Sequence, residues 1–223
     1  MTSVIGPPSE FSRVRRLADR AAYDPETIYG VLEAAMIGHV GVLRDGRPVV
    51  IPMLFGRAED DLFLHGSVAS QLLRGLSAGI EVCFTATVID GLVYARSAFH
   101  HSMNYRSVVI AGRAFPVEAQ DKLSALRAIV DHITPGRWDE ARPPTKAELR
   151  KTAVLRMPIA EASAKIRSAG PADDLDDLGL PVWAGVVPVM SHFGQPVDAE
   201  DLTEGIGLSP AVNRRLHAGA PRS

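Results

Sequence analysis

The apolar positions of this chain change period several times, and each change marks an element. Ile28, Val31, Leu32 and Ala35 recur at helical spacing, with Asp24 placed as a cap and Pro25 at the first helical position. The spacing then falls towards two. Residues 37–43 alternate weakly, Arg44-Asp45-Gly46-Arg47 holds the Asp-Gly pair of a tight hairpin, and residues 48–55 are apolar and β-branched. Glu59-Asp60-Asp61 marks a second turn before a short strand over 62–65. Residues 66–79 return to helical spacing, with Val68, Leu72, Leu73 and Leu76 on one side and Ser67 at the cap. Residues 80–89 predict a buried strand, Asp90-Gly91 a hairpin into residues 92–98, and residues 106–117 a further strand. A clear amphipathic helix follows over 118–133, with Leu123, Leu126, Val130 and Ile133 aligned.

The remainder is less regular. Residues 134–145 predict a loop, 154–160 a strand that Pro158 places at an edge or end, and 183–189 a final short strand. Residues 170–179 are acidic and predict a solvated segment. We expect a loose arm over residues 1–12, one domain over 13–194 and a partly ordered tail over 195–223. Six or seven strands joined mostly by hairpins, with two or three helices, predict a mainly β antiparallel barrel rather than a doubly wound parallel sheet.

Composition narrows the function. Of 223 residues, 46% are hydrophobic and 22% charged, as in an ordinary globular domain, and the formal net charge of −2 provides no global field for nucleic acid. No apolar run approaches the ~20 residues of a membrane helix, and the first twenty residues lack the form of a secretory signal, so a cytoplasmic location with no membrane partner is the expectation. Cys83 is the single cysteine, which excludes an internal disulfide, and its place in an apolar run predicts a core thiol.

Three segments could carry chemistry. Leu64-His65-Gly66-Ser67 leads into the predicted helix, whose first N–H groups, with Ser67, Ser70 and Arg74, could seat a phosphate; a plain capped helix is the alternative. Ile51-Pro52-Met53 interrupts a strand's N–H ladder, freeing backbone groups for a flat ligand or marking an edge strand. Residues 95–115 hold His100 and His101 in a turn, then Asn104-Tyr105-Arg106-Ser107. Tyr105 could stack on an aromatic ligand, while Arg106 and Ser107 should point to opposite faces. Two adjacent histidines do not make a metal site. His65 could contact a ligand or be structural.

Together these segments, with Trp183-Ala184-Gly185-Val186-Val187-Pro188, resemble the pyridoxamine 5′-phosphate oxidase-like superfamily of FMN-binding split β-barrels, nearest its nitroimidazole-resistance-like branch. The resemblance covers roughly residues 13–190. It implies a homodimer with FMN in a groove between subunits. The backbone of Ile51, Pro52, Met53, Leu64 and His65 would meet the ring, Ser67, Ser70 and the start of the following helix after Gly66 would meet the phosphate, and Arg106, Ser107 and Trp183 would stand near the flavin. Arg74 does not sit where the true oxidase has its Arg-Lys pair, since Gln71-Leu72 takes that place. His65 is the implied catalytic residue. No arginine-rich stretch follows Trp183, unlike in the true oxidase, so the expected reaction is flavin-mediated turnover of another small molecule. Nitroaromatic or quinone-like acceptors and NAD(P)H as donor are the expectation. A non-catalytic FMN carrier or sensor, and a haem-binding split barrel, are the alternatives.

Overall fold

The computed structural model of the protein describes residues 6–67 and 79–218. Its strands are β1 (Ala21–Ala22), β2 (Gly38–Arg44), β3 (Arg47–Met53), β4 (Phe55–Ala58), β5 (Asp61–Ser67), β6 (Ile80–Tyr94), β7 (Ser102–Pro116), β8 (Thr152–Pro158), β9 (Glu161–Arg167) and β10 (Gly185–Pro188). Its helices are α1 (Pro25–Ala34), α2 (Lys122–Ile133), α3 (Arg137–Glu140), α4 (Lys146–Lys151) and α5 (Pro210–Ala218).

The strands pair in the order β3-β2-β6-β7-β8-β5-β4, with β9 on β7, β1 on β9 and β10 on β6. Every pairing is antiparallel. The first half of β7 pairs with β9 as far as Ala111, and its end pairs with β8 at Phe115 and Pro116. The strand therefore passes from one sheet to the other, which splits the barrel. Gly112 stands at that corner with φ of 154°, a conformation that a side chain disfavours.

One apolar core fills the space between the sheets. Val40, Phe55, Leu62, Leu64, Phe84, Val108, Ile110, Leu155 and Met157 meet there, closed at one end by Ile28, Val31 and Leu32 of α1. Asp24 caps α1 by accepting from the Thr27 N–H at 2.8 Å, with Pro25 in the first turn, as the pattern predicts.

Several expectations are corrected. Asp90-Gly91 is a β-bulge within one 15-residue strand. Before the bulge Val82, Phe84 and Ala86 are the buried positions; after it Gly91 and Val93 are, so the extra residue flips the alternation. The turn between β6 and β7 lies instead around the short 3₁₀ segment Ala98–His100. β5 extends past the predicted 62–65 to include Gly66 and Ser67. The predicted helix beyond them, including Ser70 and Arg74, lies outside the described residues. The 48–55 strand breaks at Leu54 into β3 and β4, and the predicted loop over 134–145 contains α3. β1, β9, α4 and α5 had no counterpart in the sequence pattern, so the count rises from six or seven strands to ten among the described residues. Cys83 faces outward rather than into the core.

Candidate functional site

The antiparallel register builds a broad outer face on the sheet of β3, β2, β6, β7 and β9. One row across it runs Pro52, His39, Thr85, Val109, Ser163, and the next runs Thr87, Ser107, Lys165, Ala21. Tyr105 lies opposite Arg167 one step further on. Pro52, Tyr105 and Ser107 thus share one face, separated by β2 and β6, although the sequence places them more than fifty residues apart. Val109 is exposed at its centre. The Thr85 hydroxyl donates to the Val108 carbonyl at 2.9 Å and Ser107 donates to the Lys165 carbonyl at 3.3 Å. Both hydroxyls therefore present lone pairs outward and can accept from a ligand N–H.

β3 is the outermost strand of this sheet and pairs only with β2 among the described residues. Pro48 and Pro52 are consistent with an edge, because neither can donate to a further strand. Ile51 and Met53 are half-buried on the opposite side from Pro52. On the same side as Pro52, one row along, Gly41, Val50, Cys83, Ala111 and Glu161 line a mainly apolar cavity of about 560 Å³ with Phe11 at its rim. Partial burial raises the Cys83 thiol, which keeps it protonated and weakly nucleophilic.

Other residues from the same sequence block have protein partners. Arg106 makes a bidentate pair with Asp90, with Nε and Nη2 at 2.9 and 2.8 Å, which ties β7 to the bulge. Its guanidinium is raised by that hydrogen bond against a smaller burial effect. Asn104 is buried and accepts from Arg167. His100 meets Asp174 at 3.2 Å, whereas His101 meets the Ser97 carbonyl and the Tyr94 ring. Trp183 is 63% exposed and tilts against Tyr94, centroid to centroid 5.9 Å. It belongs to an aromatic row at the hairpin tip.

His65 lies elsewhere, on the outer side of the sheet of β4, β5 and β8, opposite Val154. It opens into a groove between that sheet and α2–α4 that is apolar along α2 and bordered by Arg137 and the Arg142–Glu148 pair. One compartment, of about 330 Å³, is lined by Leu54, Leu126, Val130 and Ile133; the other, of about 310 Å³, reaches Trp138 and Leu149. Leu126, Val130 and Ile133 are the very positions whose periodicity predicts α2. The core side of that helix is instead Ala125 and Ile129, and Leu123 is exposed. The Nδ1 atom of His65 is buried and has no hydrogen-bond partner among the described residues. Burial lowers its pKa from the ordinary histidine value, so the neutral ring predominates at pH 7. Leu64, next to it, is a core side chain, and Gly66 and Ser67 continue the pairing with β8.

Residues that the sequence pattern did not single out are the groove walls of α3 and α4 and the buried acid Asp173. That carboxylate, within the acidic 170–179 segment, accepts from the Arg96 N–H at 2.7 Å and its guanidinium at 2.8 Å. Burial works to raise its pKa, but these bonds and a weaker one from Ser97 outweigh it and leave it lowered. Asp173→Asn should therefore lower the thermal midpoint at pH 7. The sign follows from the depressed folded pKa: the stabilisation is present above the unfolded pKa and lost as pH falls, so the two proteins should converge in acid. Differential scanning calorimetry from pH 7 to pH 3 checks both parts.

A family model described as pyridoxamine 5′-phosphate oxidase matches residues 24–166, and the chain belongs to that family. The solved flavocytochrome Anf3 from Azotobacter vinelandii is 36% identical, covering 94% of this chain and 98% of its own, with a TM-score of 0.88. An FAD- and haem-binding protein from Mycobacterium smegmatis is 35% identical over 88% of this chain and 97% of its own, with a TM-score of 0.85. A candidate 5-nitroimidazole antibiotic resistance protein from Bacteroides thetaiotaomicron shares the fold at 24% identity, over 66% of this chain and 86% of its own, with a TM-score of 0.56. A search of curated protein sequences finds no match. No helix among the described residues is long and apolar enough to cross a membrane.

Proposed function

We propose that this chain binds a flavin on the outer face around Pro52, Tyr105, Ser107 and Val109, and a haem in the His65 groove, as an electron-transfer protein of oxidoreductase type. The observation that carries the reading is His65: a neutral imidazole with an unpartnered buried nitrogen, in a groove walled by Leu126, Val130 and Trp138. A metal-ligating histidine must be neutral, and burial keeps this one so at pH 7. The relatives at 36% and 35% identity are a flavocytochrome and an FAD- and haem-binding protein, which supports the pairing of cofactors. The bound flavin would exchange electrons in pairs or singly, and the haem singly.

The chain's own residues supply position and seclusion. Thr85 and Ser107 present acceptor oxygens, Val109 presents apolar area to a ring, and the edge of β3 flanks them. The flavin is FMN in the family resemblance and FAD in the mycobacterial relative; heat-released flavin separated by chromatography assigns it. The electrons would come from NAD(P)H and pass to a small acceptor of nitroaromatic or quinone type. The absorbance spectrum of the purified protein tests the core claim. Flavin bands together with a Soret band are expected, and protein that takes up neither group on reconstitution would sink it. Photoreduced holoprotein that reoxidises with these acceptors no faster than free flavin would favour a carrier.

We further propose a homodimer. Trp183, Val187, Met190, Phe193 and Val197 lie exposed along the segment after the acidic loop, in the company of Leu178 and Leu180. So much apolar area on one stretch needs cover, and a second copy extends the flavin face as the family resemblance implies. Light scattering after gel filtration should give twice the chain mass, and a monomer at micromolar concentration would refute this.

A further inference from the structure

The two elements that the sequence pattern missed beside Tyr105 concentrate positive charge. β1 pairs with β9 so that Ala21 lies opposite Lys165, and Lys165 reaches back to the Arg16 carbonyl, which brings the turn that carries Arg20 beside Lys165 and Arg167, with Arg15 and Arg16 next along the chain. None of these five cations has a carboxylate partner among the described residues. The acid within the turn is Asp19. Nearby Glu161 is held by Ser9 and Ser12, and Asp90 by Arg106. In a chain of net charge −2, such a patch is a local reversal of sign.

Arg167 is the unusual member. It is 6% exposed, yet its guanidinium donates only to neutral acceptors: the Asn104 amide, the Ala169 carbonyl at 2.7 Å and the Gly170 carbonyl at 2.9 Å. Burial lowers its pKa, Arg20 lowers it further, and Tyr105 opposes both. A buried cation beside a second cation is costly unless an anion completes the site. The turn is also strained. Leu17 is non-glycine at φ of 55°, and the strained shape is held by Lys165, whose Nζ donates to the Arg16 carbonyl at 2.8 Å, and by the Arg20 N–H on the Leu17 carbonyl. Arg20 follows Leu17 in this turn and lies near enough to Arg167 to lower its pKa.

We propose that Arg20, Lys165 and Arg167, with Arg15 and Arg16 at the rim, form a binding site for the diphosphate of a dinucleotide. The site adjoins the face of Tyr105 and Ser107, so a ring on that face and a diphosphate here belong to one extended ligand. This extends the flavin reading. The diphosphate can come from the flavin, as FAD, or from a nicotinamide donor, and two measurements separate the sources.

Isothermal titration of full-length protein with inorganic pyrophosphate at low salt should show binding. It should weaken at least about tenfold in Arg20→Gln/Lys165→Gln, because charge-assisted contacts are lost. Arg167 is left intact, since it also secures Ala169 and Gly170. Arg15→Gln/Arg16→Gln provides a second variant at exposed positions, and Arg113→Gln, a remote cation, should bind pyrophosphate like the parent. Absence of pyrophosphate binding by the parent, or undiminished binding by both double variants with unchanged thermal midpoints, overturns the proposal. A fall in the ratio of FAD to FMN affinity then assigns the site to the flavin, and a rise in KM for NADPH or NADH assigns it to the donor. If neither changes, the dinucleotide assignment is overturned. Pyrophosphate titration needs no flavin, so a chain that binds no flavin but binds pyrophosphate would end the flavin reading and leave the anion site standing.

Discussion

His65→Ala is expected to remove the Soret band while the flavin bands remain. The imidazole is the neutral nitrogen ligand that lines the groove, and its pKa is held below 6.5 by burial. Haem occupancy should fall at least tenfold, equivalent to the loss of about 1.4 kcal/mol or more of binding. Stability of the apoprotein should move by no more than about 1 kcal/mol, because the buried Nδ1 has no partner to orphan. That contrast separates a ligand from a structural histidine, whose loss would leave unsatisfied partners behind. Free imidazole added to the variant should restore the band by entering the space vacated. The pH profile has a defined sign. With the folded pKa lowered, the neutral ring persists somewhat below pH 6.5, and the stability and haem retention that depend on it are lost as pH falls further. A variant that keeps full haem occupancy would place the iron ligand elsewhere.

How far such a site can be read from the sequence depends on which element carries it. The face of Pro52, Tyr105 and Ser107 lies on β3 and β7, which the apolar runs within residues 48–55 and 106–117 mark as strands. β9 was invisible because its inward residues are Ala162 and Ala164, too small to stand out among Glu161, Lys165 and Arg167. Its absence hid the cation cluster, since Lys165 and Arg167 gain meaning only when register sets them beside Tyr105 and the Arg20 turn. Asp90-Gly91 misled for a physical reason: the glycine that suits a hairpin also suits a bulge, and only the pairing of β7 across both halves of β6 decides between them.

His65 was legible as a residue and not as a site. Its groove is walled by Leu126, Val130, Trp138 and Leu149, all more than sixty residues later in the chain. The amphipathic stripe of α2 has two uses: Ala125 and Ile129 are buried, and Leu126, Val130 and Ile133 line the groove. Hydrophobicity alone does not distinguish a wall from a core. Thr145 and Glu148 form a reciprocal capping box that starts α4, with the Glu148 carboxyl lowered to about 2 mainly by Arg142 and also by Thr145.

The groove also depends on a glycine that appears in no motif. Gly56 of β4 lies so close under α2 that an added Cβ would stand 2.5 Å from the Ala128 carbonyl carbon and oxygen and from the Ile129 nitrogen. These are backbone atoms, so no side-chain rotation relieves the overlap. Gly56→Ala must push α2 away from the sheet, separating Phe55 from the His132 ring that it meets at 4.4 Å. Overpacking of this kind should cost about 3 kcal/mol, at the upper end for a single inserted carbon. For a chain of this size that lowers the thermal midpoint by roughly 6–12 °C. Because α2 supplies Leu126, Val130 and Ile133 to the groove, haem retention should fall together with stability. Gly30→Ala is the matched control: an added Cβ there meets nothing within 4 Å on an exposed helical position, and it should stabilise by up to about 1 kcal/mol. Thermal melts and Soret intensity of the two variants, measured side by side, check the argument. If Gly56→Ala were as stable and as haem-replete as the parent, α2 would not be the rigid wall that the register of β4 and β5 makes it.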